Sequence, residues 1–380
     1  MEKNVSQPKI TSSMKATDKL LQSNPFDFSE VSKKLFLESF KENALNHYEN
    51  HEFTRKLWNK LRFHPRDLKI EKDLESVPGT MVHLYKEHEF LSVPKKDLAL
   101  ILTSSGTSGQ KSQQFLDSQS LSNVKKLALR IHQELEMASS KEYNYLCFTY
   151  DPKVANDLGT AFTDELLTNF TKKKEVYYAI QWDEEEKQFS LNEKGVLEAL
   201  NRFASSPLPT RILGFPALLF EIIEKHNIRL NLGDDSWLQT GGGWKGKSEK
   251  EIPKMEFRKF IEHRLGIPIR NQRDLFGMVE HGIPYVDCEE GNLHIPNYSR
   301  VFVRSPYDLS LRPKGERGLL HFLCSYNFSY PAPSLLTTDY GRIGSCRCKI
   351  GGDTLILEGR AGISKHKGCA IKALELLERT

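Results

Sequence analysis

The stretch LALILTSSGTSGQKS (residues 98–112) joins a short apolar run to a loop rich in hydroxyl groups and glycine. Residues 98–102 have the pattern of a β-strand, and further strand pattern follows the loop. Glycine lets the backbone approach a ligand closely, while hydroxyls and backbone N–H groups can hold phosphate oxygens. The groups in question are Ser104, Ser105, Gly106, Thr107, Ser108 and Gly109. Lys111 adds a positive charge, so the stretch predicts a phosphate-binding loop.

Two other interpretations of this loop were weighed. A Walker A loop, G-x-x-x-x-G-K-[ST], is excluded because only two residues separate Gly106 from Gly109. A flexible Ser/Gly linker is the ordinary alternative, but linkers seldom interrupt a run of strand pattern. We therefore favour the phosphate loop.

Outward from this loop, short apolar strands alternate with amphipathic helices. Strands are predicted at 98–102, 143–148, 176–180, 211–215 and about 236–240, and helices at 118–137, about 160–170, about 193–204 and 216–226. Asp117 or Ser118 can cap the first of these helices. This alternation predicts a layered α/β domain with a mainly parallel sheet. After about Leu293, shorter and turn-rich strands predict a small β-rich part.

The chain divides into four predicted regions. Residues 1–25 are polar and are expected to form a flexible leader. Residues 26–95 carry apolar and aromatic side chains at helical spacing, which predicts a helical N-terminal region. Residues 96–357 form the predicted main domain, and 358–380 form a tail.

Composition narrows the class of protein. The chain has 380 residues and a formal net charge of only +4, which gives no support for nucleic-acid binding. No apolar run is long enough to span a membrane, and the N-terminus lacks the apolar core of a signal peptide. The six cysteines have no disulfide-scaffold spacing, so we expect a cytoplasmic protein with reduced thiols. Oligomeric state is left open.

Four further segments follow the loop in sequence order. They are GGG (residues 241–243), DLFGMVE (274–280), Thr338-Asp339, and Gly359-Arg360 followed by Lys365 and Gly368. Each has an ordinary interpretation when taken alone: a loop, a core aromatic with a surface acid, or a turn. His281, beside Glu280, is equally compatible with a substrate contact and with a loop histidine bonded to backbone.

Together the five segments resemble the adenylate-forming superfamily, which includes acyl-CoA synthetases and firefly-type luciferases. The resemblance implies ATP and Mg²⁺ as cofactors. Gly242 and Gly243 would lie against adenine, Phe276 would stack on it, and Glu280 would help to hold Mg²⁺. Asp339 would bind the ribose hydroxyls, although the usual preceding glycine is a threonine here. Arg360 would contact ribose or phosphate near the hinge.

The tail narrows the resemblance further. Only about twenty residues follow the hinge segment, so the small C-terminal domain of CoA-forming members is expected to be absent. The ending GRAGISKHKGC (359–369) resembles the acyl-protein synthetases of bacterial luminescence systems, the LuxE family. In that family a fatty acid is activated as acyl-AMP, transferred to a C-terminal cysteine and relayed to an acyl reductase. The resemblance makes Cys369 the acyl carrier, and its neighbours Lys365, His366 and Lys367 would favour its thiolate.

This interpretation assigns catalysis to Lys111, Glu280 and Cys369. Two rivals stay open: an acyl- or aryl-CoA ligase, and a non-catalytic nucleotide-binding partner protein. A zinc site was also considered, because Cys346-x-Cys348 offers two thiolates and Cys324 a possible third. Without a second tight Cys/His pair, we do not expect a metal ion there.

Overall fold

The computed structural model describes residues 15–103, 112–153, 159–183, 187–244 and 251–360. Its helices are α1 Ala16–Gln22, α2 Glu30–Asn50, α3 Glu52–Lys60, α4 Leu84–Glu87, α5 Ser118–Glu134, α6 Gly159–Thr168, α7 Glu193–Ala204, α8 Pro216–Lys225 and α9 Lys254–Leu265. Its strands are β1 Thr80–Met81, β2 Leu98–Thr103, β3 Gln113–Asp117, β4 Glu142–Tyr150, β5 Lys172–Asp183, β6 Gln188–Leu191, β7 Thr210–Gly214, β8 Trp237–Gly241, β9 Gln272–Phe276, β10 Tyr285–Val286, β11 Leu293–His294, β12 Ser299–Arg304, β13 Gly318–Cys324, β14 Ser334–Ser345 and β15 Asp353–Arg360.

A seven-stranded sheet forms the centre of the main domain, in the order β10-β9-β8-β7-β4-β5-β6. The inner pairs run parallel, and only the pairs at the two edges are antiparallel. Successive side chains of β4 point to opposite faces, so Tyr145 and Cys147 enter one apolar cluster while Leu146 and Phe148 enter another. The predicted layered, mainly parallel α/β sheet is confirmed.

A second sheet of six strands is mostly antiparallel and has the order β11-β15-β14-β13-β12, with β1 added parallel to β14. The expectation of shorter strands after Leu293 is wrong for β14, which has twelve residues. Its buried positions alternate over much of its length, which suits a long strand with one covered face. β1 comes from the predicted helical region and pairs Thr80 with Leu335.

The predicted phosphate loop connects two strands of a separate small sheet. β2 and β3 pair antiparallel, with Thr103 opposite Gln113. Residues 104–111 therefore join the two arms of a hairpin, although they lie outside the described residues. α5 follows β3 directly, and the Asp117 carboxylate caps it by accepting the Ser120 N–H at 2.7 Å.

The N-terminal region contains the helices α2 and α3, followed by a segment of short turns with α4 and β1, so its second half is less helical than expected. α2 packs on the main body. Asn43 of α2 donates through Nδ2 to the Asn327 carbonyl at 2.7 Å. The expected leader is wrong for α1, because Leu20 and Leu21 are buried in the main apolar cluster. Two adjacent leucines on one helical turn supply enough apolar surface to dock that helix. Within the described part of the chain, no helix has the length and apolar character needed to cross a bilayer.

Candidate functional site

The glycine segment lies where β8 ends, at the carboxyl edge of the parallel strands. Gly241 is the Cα partner of Leu275 on β9. Gly242 has φ +78°, and a Cβ there would lie 2.9 Å from the Phe215 ring. A side chain would therefore be both strained and crowded, which explains why glycine is needed. The turn places its backbone beside the end of β9, where ligands of open α/β sheets commonly bind.

Phe276 is the last residue of β9 and is therefore next to this glycine turn. Its ring centroid lies 6.0 Å from that of Tyr285 on β10 and 6.2 Å from that of Phe322 on β13. The side chain is partly buried and packs against the main apolar cluster. The Phe276 ring is therefore held at the end of β9 by tilted aromatic neighbours from β10 and β13.

Glu280 is hydrogen-bonded to Ser112, the residue that precedes β3 of the β2–β3 hairpin. Its Oε1 accepts a hydrogen bond from the Ser112 hydroxyl at 2.5 Å, and the carboxylate is buried. Ser112 is the first described residue after the loop. Within the described residues, no hydrogen bond to the other carboxylate oxygen occurs. The structure therefore brings Ser112, at the flank of the loop, and Glu280 together.

The turn that carries Glu280 is fixed by a glycine. The Gly282 N–H donates to the Met278 carbonyl at 2.8 Å, and Gly282 has φ +72°. A Cβ at this position would lie 1.8 Å from the Tyr326 hydroxyl oxygen, so no other residue fits without movement. Tyr326 itself is held by Gln114 Nε2, which donates to its hydroxyl at 2.6 Å. These contacts position the carboxylate relative to β3.

His281 is buried within the aromatic cluster. Its Nε2 lies 2.9 Å from the Tyr285 hydroxyl, and its ring stacks on Tyr285 at a centroid distance of 5.8 Å. Burial lowers the pKa of His281 to about 3, so the ring is neutral at ordinary pH. Its Nδ1 has no hydrogen-bond partner in the described chain. The His281 ring also lies 5.1 Å, between centroids, from that of Phe322. A substrate contact by His281 stays a prediction.

Asp339 and Arg360 meet on the six-stranded sheet. They are Cα partners at an irregular point between β14 and β15, and Arg360 Nε donates to Asp339 Oδ1 at 2.6 Å. The Asp339 carboxylate is nearly buried, while the Arg360 side chain is 40% exposed. A buried carboxylate held by an exposed guanidinium can receive a further polar group at its edge. The structure thus pairs two residues that were predicted separately.

The sheet that carries Phe276 and the sheet that carries Asp339 and Arg360 are connected through aromatic side chains. Phe276 contacts Phe322 of β13, and β13 is hydrogen-bonded to β14, the strand that carries Asp339. The two sheets are therefore in contact through the Phe276 and Phe322 side chains.

The cysteines are arranged differently from the sequence-based expectation. Cys324 lies away from Cys346 and Cys348, with its Sγ 3.9 Å from the carbonyl of His281. Cys346 and Cys348 follow β14 in an irregular segment and meet a second pair, Cys288 and His294. The premise that no second Cys/His pair exists was therefore wrong. The Cys288-x₅-His294 spacing was the available signal, but only the pairing of β11 with β15 brings it to the other two cysteines.

Other predicted site residues lie outside the described residues. They are Ser104, Ser105, Gly106, Thr107, Ser108, Gly109, Lys111 and Cys369. Their roles stay predictions. Ser112 and Gln114 have no assigned role in the motifs described above, yet they contact Glu280 and Tyr326 respectively.

Comparisons with known proteins show the family and the fold of this chain. The family model "Acyl-protein synthetase, LuxE" matches residues 1–377. A long-chain-fatty-acid–luciferin-component ligase of Vibrio harveyi is 23% identical over 97% of this chain and 95% of that protein. The protein of that name from Aliivibrio fischeri is 27% identical, over an aligned region that spans only 43% of this chain and 44% of that relative.

Solved structures establish the fold. A 2-hydroxyisobutyryl-CoA ligase in an open conformation, in complex with 2-HIB-AMP and CoA, superposes with a TM-score of 0.66 at 16% identity, covering 86% of this chain and 69% of that one. The same ligase in its postadenylation state gives a TM-score of 0.65 over 91% and 72% of the two chains. The predicted fold class and the predicted family are both confirmed. The chain belongs to the acyl-protein synthetase (LuxE) family and has the large-domain fold of adenylate-forming ligases.

Proposed function

We propose that this protein activates a long-chain fatty acid with ATP as an acyl-adenylate and then transfers the acyl group to its own Cys369. The observation that carries the proposal is the hydrogen bond from Ser112 to Glu280. It joins the end of the Ser/Thr/Gly hairpin to the carboxylate expected to serve the metal. Family membership and the fatty-acid ligase names of the relatives support the choice of acid.

In this proposal ATP lies along the carboxyl edge of the seven-stranded sheet. Adenine would fit between the 241–243 turn and Phe276, since Gly241 is paired with Leu275 beside that ring. The ribose would be held by Asp339, with Arg360 at its edge. Residues 104–109 and Lys111 would hold the phosphates. The 241–243 turn and Phe276 lie at the end of the seven-stranded sheet, and Asp339 lies on the six-stranded sheet that contacts it through Phe322. We therefore expect little rearrangement when these groups bind ATP.

The fit of Mg²⁺ rests on Glu280. This carboxylate is buried beside a serine hydroxyl and has an oxygen without a hydrogen bond in the described residues, and Mg²⁺ prefers such oxygen ligands. When bound, Mg²⁺ would neutralise charge on the phosphates. The chain's own contribution is to hold the carboxylate in place, through Ser112 and the Gly282 turn.

The first step is attack by a carboxylate oxygen of the fatty acid on the α-phosphorus of ATP. A new P–O bond forms, the bond to the β-phosphate breaks, and pyrophosphate leaves. The Lys111 ammonium would stabilise negative charge on the phosphates. The product is a mixed anhydride whose AMP is a far better leaving group than the original oxide, which is why ATP is required.

The second step is attack by the Cys369 thiolate on the acyl carbonyl carbon. A C–S bond forms, the C–O bond to AMP breaks, and AMP leaves with the electron pair. The cations at 365–367 would favour the thiolate form. The resulting thioester is activated for transfer to an acceptor, for which an acyl reductase is the proposed class.

The experiment is to incubate the full chain with ATP, Mg²⁺ and labelled tetradecanoic acid and to follow label on the protein. Covalent, hydroxylamine-sensitive label is expected on the wild type and none on Cys369→Ser, while both form the adenylate. Cys147→Ala is a control, since Cys147 lies buried in β4. Label retained by Cys369→Ser would show that the carrier is another group.

The same preparation discriminates the rivals. Efficient acyl-CoA formation by the full chain would select the CoA-ligase interpretation. Absence of any acid-dependent adenylate would select the non-catalytic nucleotide-binding partner. Neither outcome is expected.

A further inference from the structure

Four metal-binding side chains converge at one place outside the nucleotide site. Cys288 follows β10, His294 ends β11, and Cys346 and Cys348 follow β14. One ligand atom from each lies within 4.8 Å of the ligand atoms of the other three. Cys288 and His294 are buried, and the other two are partly exposed. Three thiol sulfurs and an imidazole nitrogen gathered this closely have the composition of a metal-ligand set.

The separations agree with the edges of a zinc tetrahedron. Zinc–sulfur bonds near 2.3 Å and zinc–nitrogen bonds near 2.0 Å imply S···S edges of about 3.8 Å and S···N edges of about 3.6 Å. The Cys288 and Cys346 sulfurs are 3.9 Å apart, and Cys348 Sγ lies 3.3 Å from His294 Nε2. A small adjustment would therefore make all four atoms equidistant from a central ion.

We propose that Cys288, His294, Cys346 and Cys348 bind one structural zinc ion. Three thiolates and one imidazole match a tetrahedral zinc site, whereas Mg²⁺ and Ca²⁺ prefer oxygen ligands. Because four protein groups complete the coordination shell, no position is left for water or substrate. The ion would therefore stabilise the fold and take no part in the chemistry.

Neighbouring N–H groups already point at the sulfurs. Asn292 Nδ2 donates to Cys346 Sγ at 3.3 Å, and the Cys348 backbone N–H donates to the same sulfur at 3.4 Å. Burial raises the pKa of Cys288 to about 12, while the amides of Asn292 and Glu290 act in the opposite direction. Donors arranged around a metal-bound sulfur commonly orient such ligands and stabilise their negative charge.

The position of the cluster gives the ion a definite task. Cys288 lies three residues beyond Tyr285, which pairs with Phe276 in the seven-stranded sheet. Cys346 follows β14, the strand of Asp339, and β11 pairs with β15, the strand of Arg360. Through Cys288 the ion would hold the segment after β10 of the seven-stranded sheet, and through His294, Cys346 and Cys348 it would hold β11 and the turn after β14 of the six-stranded sheet. It would thus fix the relative position of the proposed adenine and ribose residues without contacting either.

The first test is the zinc content of the full chain, purified without a polyhistidine tag in reducing buffer. Elemental analysis should give about one zinc per chain. Cys348→Ser should lower zinc content after mild chelation at least about tenfold, because one ligand is lost. Cys147→Ala is the matched control, a buried cysteine outside the cluster, and it should retain zinc. Zinc below about a tenth of an equivalent in the wild type, with all thiols free, would overturn the proposal.

A second measurement does not depend on a variant folding. The wild-type chain is depleted of metal and titrated with Co²⁺, which should give the intense visible absorption of a tetrahedral thiolate site and saturate at one equivalent. Excess Zn²⁺ should abolish that absorption. A spectrum of hexa-aquo cobalt only, or a Cys288–Cys346 disulfide in non-reduced peptide mass spectra, would contradict the site. Because neither readout uses ATP or a fatty acid, a failure here is separate from a failure of the proposed activity.

Discussion

Two neighbouring regions, each with residues in the stretch 276–294, are built in different ways. The nucleotide region, Phe276 to Gly282, is a short turn at the end of β9 whose groups are close in sequence, and one hydrogen bond ties it to Ser112. The cysteine cluster, Cys288 with His294, Cys346 and Cys348, is assembled from segments that only strand pairing brings together. In the first region, one buried carboxylate oxygen accepts from Ser112, and in the second four potential metal ligands face one another. We propose catalytic chemistry for the first region and structural support for the second.

Substitutions should therefore separate the two regions. Changes in the nucleotide region should lower activity while leaving metal content intact, and changes in the cysteine cluster should lower metal content first. Activity would fall in the second case only as far as the two sheets lose their relative position. The following predictions sharpen or break that distinction, in decreasing order of expected effect.

Glu280→Gln should lower the rate of acyl-adenylate formation by roughly 100-fold or more, because the neutral amide no longer offers a charged oxygen to Mg²⁺. Folding should be preserved, since the amide oxygen can still accept from Ser112. Adenylate is measured as acyl hydroxamate formed with hydroxylamine over a range of Mg²⁺ concentrations.

The matched control for this change is Glu316→Gln, which neutralises an exposed carboxylate paired with Arg312. It should leave the rate and the Mg²⁺ dependence unchanged. A wild-type rate in Glu280→Gln would remove the metal role from this residue. An equal loss in Glu316→Gln would show that net charge, rather than position, was being measured.

Gly282→Ala should lower the free energy of unfolding by about 3 kcal/mol, through the positive φ and a clash with Tyr326. Gly315→Ala separates these causes, because Gly315 has φ +92° but open space around its Cβ, so only about 1 kcal/mol is expected. Urea unfolding measures both. Equal losses in the two variants would mean that the Tyr326 contact does not constrain the turn.

Asp339→Asn should weaken recognition of the ribose. Losing a charged hydrogen-bond acceptor costs about 2 kcal/mol, or roughly 30-fold in KM for ATP. The wild type should also prefer ATP to 2′,3′-dideoxy-ATP, and the variant should lose most of that preference. A variant that discriminates between the nucleotides as well as the wild type would move the ribose contact to another residue.

Acid should destabilise the fold through His281, whose pKa burial lowers to about 3. The unfolded chain takes up a proton below its ordinary pKa near 6.5, whereas the folded chain does not. Stability is therefore fully present above pH 6.5 and is lost as the pH falls toward 3. Between about pH 7.5 and about pH 5.5 the loss should be about 1.4 kcal/mol greater in the wild type than in His281→Gln. Urea unfolding at both pH values measures this loss. An equal loss of unfolding free energy in the wild type and in His281→Gln would contradict the prediction.

The sequence predicted four strands of the parallel sheet, because apolar strands alternate with amphipathic helices over residues 143–240. The strand predicted at 98–102 forms the separate antiparallel β2–β3 pair instead. Phe276 and Glu280 could be proposed as site residues from the sequence because both lie in one short motif, residues 274–280. The Asp339–Arg360 pair and the Ser112–Glu280 contact depend on strand register and on packing between distant segments. The cysteine cluster was missed for the same reason. α1 was taken for a leader because two leucines are a weak signal among polar residues.

The most direct test is acid-dependent exchange of labelled pyrophosphate into ATP by the full chain, measured over a panel of carboxylic acids. The account predicts exchange that requires a long-chain fatty acid and Mg²⁺, persists in Cys369→Ser and is lost in Glu280→Gln. Exchange with no acid requirement, or none with any acid, would contradict the claim that the hairpin flank, Glu280 and Phe276 form one adenylating site.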